Sequence, residues 1–138
     1  MSQHEVHRVR HLFALLNDGA LEEFLAGCAD DLVLHVRGSS PRVTAVGRSE
    51  IPDWYRSVQA LTGTTLRATV ELVVNDEEEC IVVLHHTFER DGAAHHYESM
   101  NLCALVKDRL AFWSSYPTSL SGYATAWGVG SSAEAQPV

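Results

Sequence analysis

The order of the elements near the N-terminus is the feature that most constrains how this 138-residue chain folds. Apolar residues at helical spacing over residues 6–16 predict a first helix, which ends at Asn17-Asp18-Gly19 with the glycine as a left-handed cap. A second, shorter helix follows over residues 21–25, and Asp30-Asp31 opens a β-strand over residues 31–37. This order predicts helices that wall a sheet and enclose a pocket.

The rest of the chain changes from helical to strand patterning. Gly38-Ser39-Ser40-Pro41 breaks the first strand and starts a loop, and a third helix begins near Ser49. From residue 64 onward the pattern predicts four strands, over residues 65–74, 80–90, 94–106 and 110–116. Asp91-Gly92 is a strong signal for a two-residue hairpin turn. Helices first and successive hairpins afterwards predict an α+β fold with an antiparallel sheet.

The composition restricts the classes of function. Ten basic and 18 acidic residues give a net charge of −8, so nucleic acid is not an expected partner. No apolar run reaches the length of a membrane span, and the N-terminus lacks the features of a signal peptide. Cys28, Cys80 and Cys103 match neither a disulfide framework nor a zinc motif, which predicts reduced core thiols in a cytoplasmic protein. We expect one domain over residues 1–127 and a disordered tail over residues 128–138.

Three segments together resemble a known group of proteins. They are Leu15-Leu16-Asn17-x-Gly19-x-Leu21, Ala29-Asp30-Asp31-Leu32-Val33 and Gly47-x-x-x-Ile51. They resemble the ketosteroid isomerase and SnoaL-like polyketide cyclase group of the nuclear-transport-factor-2-like superfamily, over about residues 5–127. The resemblance implies a cone-shaped, curved antiparallel sheet wrapped around three N-terminal helices, with a cavity at the wide end. It also implies a homodimer that packs through the outer face of the sheet.

The chain departs from this group at the positions that carry its acid-base chemistry. The match places the isomerase base on Val36, the oxyanion-hole tyrosine on Leu12 and the second aspartate near Asn101 or Leu102. The acid-base aspartate of the SnoaL-like cyclases falls at about Thr118. None of these residues is a carboxylate, so the usual proton-shuttling set is absent.

Strand alternation supplies candidate residues for the cavity. In the strand over residues 94–106, Tyr97, Ser99, Asn101 and Cys103 share one face, and the resemblance places Asn101 inward. Asn101 then has two interpretations. Its neutral amide either donates to a developing oxyanion or is a buried amide bonded to neighbouring backbone.

Histidines and aromatic residues complete the candidate set. His35 and His85 are candidates for acid-base catalysis, because imidazole titrates near physiological pH. Alternation places Val36 rather than His35 at the base position, which favours an outward His35. His85 and His86 point to opposite faces of one strand, and we select His85 for the cavity. Four aromatic residues are candidates for a substrate-binding wall: Trp54, Tyr97, Trp113 and Tyr116.

These residues predict a cofactor-independent enzyme without a metal site. It cyclises, isomerises or dehydrates a hydrophobic, polyketide- or terpenoid-like small molecule. One alternative is a non-catalytic module of the same fold that binds a ligand or forms a complex. A second alternative is an epoxide hydrolase of this fold, for which Glu98 or Glu89 would activate water.

Overall fold

The computed structural model describes residues 1–37, 43–61 and 63–117. Within these ranges the elements are α1 Gln3–Asn17, α2 Leu21–Ala26, β1 Val33–Arg37, β2 Val43–Gly47, a 3₁₀ turn Arg48–Glu50, α3 Ile51–Leu61, β3 Arg67–Asn75, β4 Cys80–Arg90, β5 Ala93–Val106 and β6 Arg109–Pro117. The predicted loop at residues 38–41, Thr118 and the predicted tail over residues 128–138 lie outside the described residues.

Helix α1 begins and ends where its capping residues require. The Ser2 hydroxyl accepts a hydrogen bond from the Glu5 backbone N–H at 3.1 Å, and the Glu5 carboxylate accepts one from the Ser2 N–H at 2.9 Å. This capping box satisfies backbone donors that the first turn leaves free. At the other end Gly19 has a φ of +76°, the left-handed conformation that the sequence predicted for it. The buried stripe of α1 faces the sheet through Val9, Leu12, Phe13 and Leu16.

Six strands form a sheet in the order β2-β1-β6-β5-β4-β3. The predicted α+β class is confirmed, with one difference in the pairing. Strand β1 runs parallel to β6, so the sheet is mixed, while the other pairings are antiparallel. Strand β2 differs from the prediction, which placed a loop before Gly47. It pairs with β1 at the sheet edge.

Two tight turns connect the long hairpins of the sheet. Asp91 and Gly92 have φ values of +54° and +78°, and Lys107 and Asp108 have +54° and +67°. Two successive residues with positive φ are the mark of the type I′ turn, whose twist matches that of the flanking strands. The predicted hairpin at Asp91-Gly92 is therefore confirmed.

The two faces of the sheet differ in what covers them. The inner face packs against the helices and forms the main core, which includes Leu12, Phe24, Val82 and Leu110. Four large apolar side chains on the outer face are 38% to 52% exposed: Leu72, Val74, Met100 and Phe112. The pairing of two copies through this outer face stays a prediction.

The three cysteines are free thiols in the core, as the sequence predicted. Burial raises the pKa of Cys28 to about 11 and that of Cys103 well above its usual value. Such thiols stay protonated and behave as small apolar side chains. None of the helices in the described ranges combines the length and apolar character that crossing a bilayer needs.

Replacement of Gly19 by alanine tests the cap of α1. A Cβ atom at this position would lie 3.7 Å from the Tyr55 hydroxyl, an ordinary contact, so the cost comes from the backbone alone. We expect Gly19→Ala to lower the free energy of unfolding by about 1 kcal/mol, measured by urea denaturation. The matched control is Asp18→Ala, because Asp18 is exposed and has an ordinary helical φ of −81°. Equal stabilities of the two variants would contradict the cap.

Candidate functional site

A cavity of about 110 Å³ lies between α1, α3 and the inner face of the sheet. Its wall is mostly apolar and aromatic, and Phe13, Trp54, Tyr55 and Trp113 contribute rings to it. Among the described residues that line the cavity, none is an aspartate or a glutamate. Apolar walls with a few converging polar groups are typical of small-molecule sites.

One side of the cavity carries a chain of hydrogen bonds that we call the relay. It consists of Trp113, Asn101, Ser99 and His86, all of which line the cavity. The Trp113 Nε1–H donates to the Asn101 Oδ1 at 2.8 Å, and the Asn101 Nδ2 donates to the Ser99 Oγ at 3.0 Å. The Ser99 Oγ lies 2.8 Å from the His86 Nε2. Asn101 is fully buried and Ser99 is 3% exposed, so the relay is largely shielded from solvent.

His86 ends the relay as a neutral imidazole. Its ring stacks on Tyr97 with centroids 4.3 Å apart and planes only 2° from parallel. Burial, and to a smaller extent the neighbouring His85, lower the pKa of His86 from 6.5 to about 3. Neutral His86 therefore serves as a hydrogen-bonding group rather than as a proton acceptor at physiological pH.

The structure brings five of the predicted site residues together at the cavity: Trp54, Tyr97, Ser99, Asn101 and Trp113. The face assignment of β5 is therefore confirmed. The two interpretations of Asn101 can now be compared by geometry, because its second Nδ2 hydrogen bond goes to the Val82 carbonyl at 3.2 Å. Both amide hydrogens are thus engaged within the protein, which matches the buried-amide interpretation.

Four predicted residues lie outside the cavity lining, namely Cys103, His35, Tyr116 and His85. Cys103 faces inward but is fully buried in the core below the cavity. His35 points to the outer face beside Phe112, while its neighbour Val36 lines the cavity. Tyr116 lies three residues after the inward Trp113, so it points outward, under the Arg37 guanidinium at 5.1 Å from its ring centroid.

The selection of His85 for the cavity was wrong, because His86 occupies that face. A signal for the correct choice was present in the sequence. A two-residue turn at Asp91-Gly92 pairs Arg90 with Ala93 and, further along the same ladder, His86 with Tyr97. Paired residues share a face of the sheet, so an inward Tyr97 implies an inward His86.

His85 belongs to a different cluster, on the outer face of the sheet. Its Nδ1 lies 3.9 Å from the Glu98 Oε2, and donor atoms of Glu71, His85 and Glu98 lie within 4.8 Å of one another. Glu71 is the extra residue of a β-bulge between Val70 and Leu72. A hydrogen bond with Glu98 raises the pKa of Glu71. Within the described ranges these three residues form a set that could hold a metal ion, although the sequence predicted no metal site.

The carboxylates proposed for the epoxide hydrolase alternative do not reach the cavity. Glu98 belongs to the outer cluster with Glu71 and His85, and Glu89 is exposed. Neither residue is part of the described cavity lining. The alternative therefore lacks the carboxylate that it requires.

Comparison with known families agrees with this architecture. The model of the SnoaL-like domain matches residues 9–113. The chain belongs to the SnoaL-like family. The predicted family is thereby confirmed, and the matched residues include most of the described cavity wall. A comparison with curated proteins found no significant match.

Solved structures share the SnoaL-like fold at low sequence identity. Bal32a from a soil-derived mobile gene cassette has a TM-score of 0.79 and 19% identity, over 89% of this chain and 95% of that chain. IdmH, a proposed polyketide cyclase from Streptomyces antibioticus, has a TM-score of 0.74 and 18% identity, over 93% and 100%. TerC, co-crystallised with polyporic acid, has a TM-score of 0.77 and 10% identity, over 90% and 98%. At these identities the similarity concerns the fold.

The lowered pKa of His86 gives the stability a defined pH dependence. Between pH 6.5 and about 3 the imidazole takes up a proton in the unfolded chain but not in the folded one. The unfolded state then binds more protons, so the free energy of unfolding falls as the pH is lowered, by up to about 1.4 kcal/mol per pH unit from this group. We expect His86→Phe to remove this contribution in urea denaturation at pH 4 to 7.

The neighbouring histidine provides the control for this measurement. His85→Phe leaves His86 buried and removes only the smaller of the two contributions to its lowered pKa, so its stability should keep most of the wild-type pH dependence. If wild type and His86→Phe lost stability in parallel from pH 7 to pH 4, the neutral, buried state of His86 would be refuted.

Proposed function

We propose that the protein is a cofactor-independent enzyme that cyclises, isomerises or dehydrates a hydrophobic, polyketide- or terpenoid-like molecule. The observation that carries the proposal is the largely apolar cavity in which the relay forms a continuous line of hydrogen-bonding groups. Membership of the SnoaL-like family supports it, as does structural similarity to IdmH, a proposed polyketide cyclase.

The dimensions of the cavity suit one ring of a substrate. Its volume of about 110 Å³ is of the same order as the ~150 Å³ cavity that accepts benzene in a protein core. Trp54 and Trp113 stand edge to face, with centroids 6.2 Å apart, and present rigid walls to such a ring. Confinement of a flexible chain in one folded conformation contributes up to ~7–11 kcal/mol toward a barrier through orientation.

The polar groups suit a reaction that makes few demands on proton transfer. No carboxylate belongs to the described part of the lining, and the imidazole in the wall is neutral. Neutral donors stabilise a developing oxyanion by electrostatics without themselves giving up a proton. A pericyclic or otherwise spontaneous ring closure of a folded chain, in which no proton is transferred, is chemistry of this kind.

Product masses test the proposal directly. Purified protein would be incubated with polyketide thioesters, β,γ-unsaturated cyclic ketones and cyclic epoxides, followed by mass spectrometry of the products. We expect a product of unchanged mass, from cyclisation or isomerisation, or a product that has lost one water. A product that gained one water from an epoxide would instead favour the hydrolase.

A blocked cavity shows where the reaction takes place. Ala68 lines the cavity, and the phenyl ring of Ala68→Phe would fill most of it. We expect this variant to lower kcat/KM at least about tenfold, a loss of about 1.4 kcal/mol of transition-state stabilisation. The matched control Ala94→Phe alters an exposed position and should retain activity. Wild-type turnover by Ala68→Phe would contradict the site, and binding without any product would favour the non-catalytic module.

A further inference from the structure

We propose that the Nδ1–H of His86 is the hydrogen-bond donor that recognises the ligand, and that the ligand is a carbonyl compound whose oxygen accepts this bond. The inference shares one assumption with the proposed function, namely that the ligand binds in the cavity. The substrate class that it names is ketones and enones, and hydrocarbons without a hydrogen-bond acceptor do not belong to that class.

The direction of the relay follows from its first member. An indole nitrogen donates and never accepts, so the Trp113 Nε1–H fixes the Asn101 Oδ1 as the acceptor at 2.8 Å. This contact determines which end of the Asn101 amide is oxygen, an assignment that usually depends on such networks. The Asn101 Nδ2 must then be the donor to its two partners, the Val82 carbonyl and the Ser99 Oγ.

Ser99 passes this direction on to His86. A hydroxyl has one hydrogen, and the Ser99 Oγ already accepts a hydrogen bond from Asn101. If the His86 Nε2 also donated to it, the Ser99 hydrogen would have to find another acceptor in a residue that is 3% exposed. The consistent arrangement has Ser99 donating to the His86 Nε2 at 2.8 Å. The neutral imidazole then carries its proton on Nδ1.

This Nδ1–H has no hydrogen-bond partner among the residues that the structure describes. The Nδ1 atom is closed to solvent, while the ring that carries it lines the cavity, so a ligand oxygen reaches Nδ1 through a shift of the side chains that cover this edge of the ring. A buried N–H without an acceptor is costly, and an occupant of the cavity that offers an oxygen removes this cost. The match is specific, because a donor distinguishes a carbonyl oxygen from an isosteric methylene group.

The chemistry assigned to His86 involves no net proton transfer. Its Nδ1–H polarises the carbonyl group of the bound ligand by a hydrogen bond, and the imidazole neither gains nor loses a proton. Ser99, Asn101 and Trp113 are positioning residues, since they act through the tautomer of His86. Burial holds the pKa of His86 at about 3, so the donor keeps the same form across the physiological range.

The tautomer can be measured without any substrate. In nitrogen-15 NMR of histidine-labelled protein at pH 7, we expect the His86 resonances to show a protonated Nδ1 and an unprotonated Nε2. His86→Phe identifies these resonances by their loss, and His85→Phe leaves them in place. In Ser99→Ala we expect a mixture of the two neutral His86 tautomers, with the proton on Nδ1 in one and on Nε2 in the other. A wild-type proton on Nε2 would overturn the proposal, whether or not the protein is an enzyme.

Ligand recognition is tested with two probes of nearly equal shape. Cyclohexanone carries an oxygen where methylenecyclohexane carries a CH₂ group, and the dissociation constants of both are measured by NMR titration. The ratio of the dissociation constant of cyclohexanone to that of methylenecyclohexane should be about tenfold higher in His86→Phe than in wild type. In wild type, we expect bound cyclohexanone to shift the Nδ1–H resonance.

The same titration separates the inference from the proposed function. The control His85→Phe should leave the ratio of the two dissociation constants within about twofold of wild type. An unchanged ratio of the dissociation constants in His86→Phe would refute the inference. An Nδ1–H resonance that stays in place when cyclohexanone binds to wild type would refute it as well. Both measurements need no turnover, so an inactive protein with the predicted tautomer and ratio would refute only the enzymatic proposal.

Discussion

The indole of Trp113 joins the helices of this protein to its sheet. Its ring meets Phe13 of α1, Phe24 of α2 and Trp54 of α3 edge to face, with centroids 5.3, 5.9 and 6.2 Å away. Edge-to-face pairs of this kind contribute about 0.5–1.5 kcal/mol each beyond the burial of their area. The same side chain donates the hydrogen bond that orients Asn101. One residue therefore sets both the positions of the helices and the direction of the polar wall.

Patterns that depend on neighbouring residues were read correctly from the sequence. The left-handed Gly19 and the turn at Asp91-Gly92 each follow from the chemistry of a few adjacent residues. The inward face of β5 also follows once one of its residues is placed. Pairings between distant segments, such as the parallel contact of β1 with β6, have no local signature and could not be derived in this way.

Other errors came from using strand alternation incompletely. Trp113 and Tyr116 cannot both face the cavity from a regular strand, because they are three positions apart. The register that follows from the Asp91-Gly92 turn would have selected His86 over His85. Two features could not be derived from the sequence because they depend on the folded structure. The lowered pKa of His86 depends on its burial, and the cluster of Glu71 with Glu98 depends on a β-bulge. Val36 shows the opposite case, because the family resemblance together with strand alternation placed it at the cavity.

The relay also has a consequence for how such a site can change in evolution. Its polarity is fixed at Asn101 by two groups that cannot reverse their roles, the Trp113 N–H that donates to the amide oxygen and the Val82 carbonyl that accepts from the amide nitrogen. The Asn101 amide could turn over only if both contacts were lost, and Ser99 and His86 could then exchange donor and acceptor. The cavity would keep its shape and its volume while its preference inverted, from ligands that accept a hydrogen bond to ligands that donate one. Two members of a family with superimposable pockets can therefore select opposite chemistries through the orientation of one buried amide.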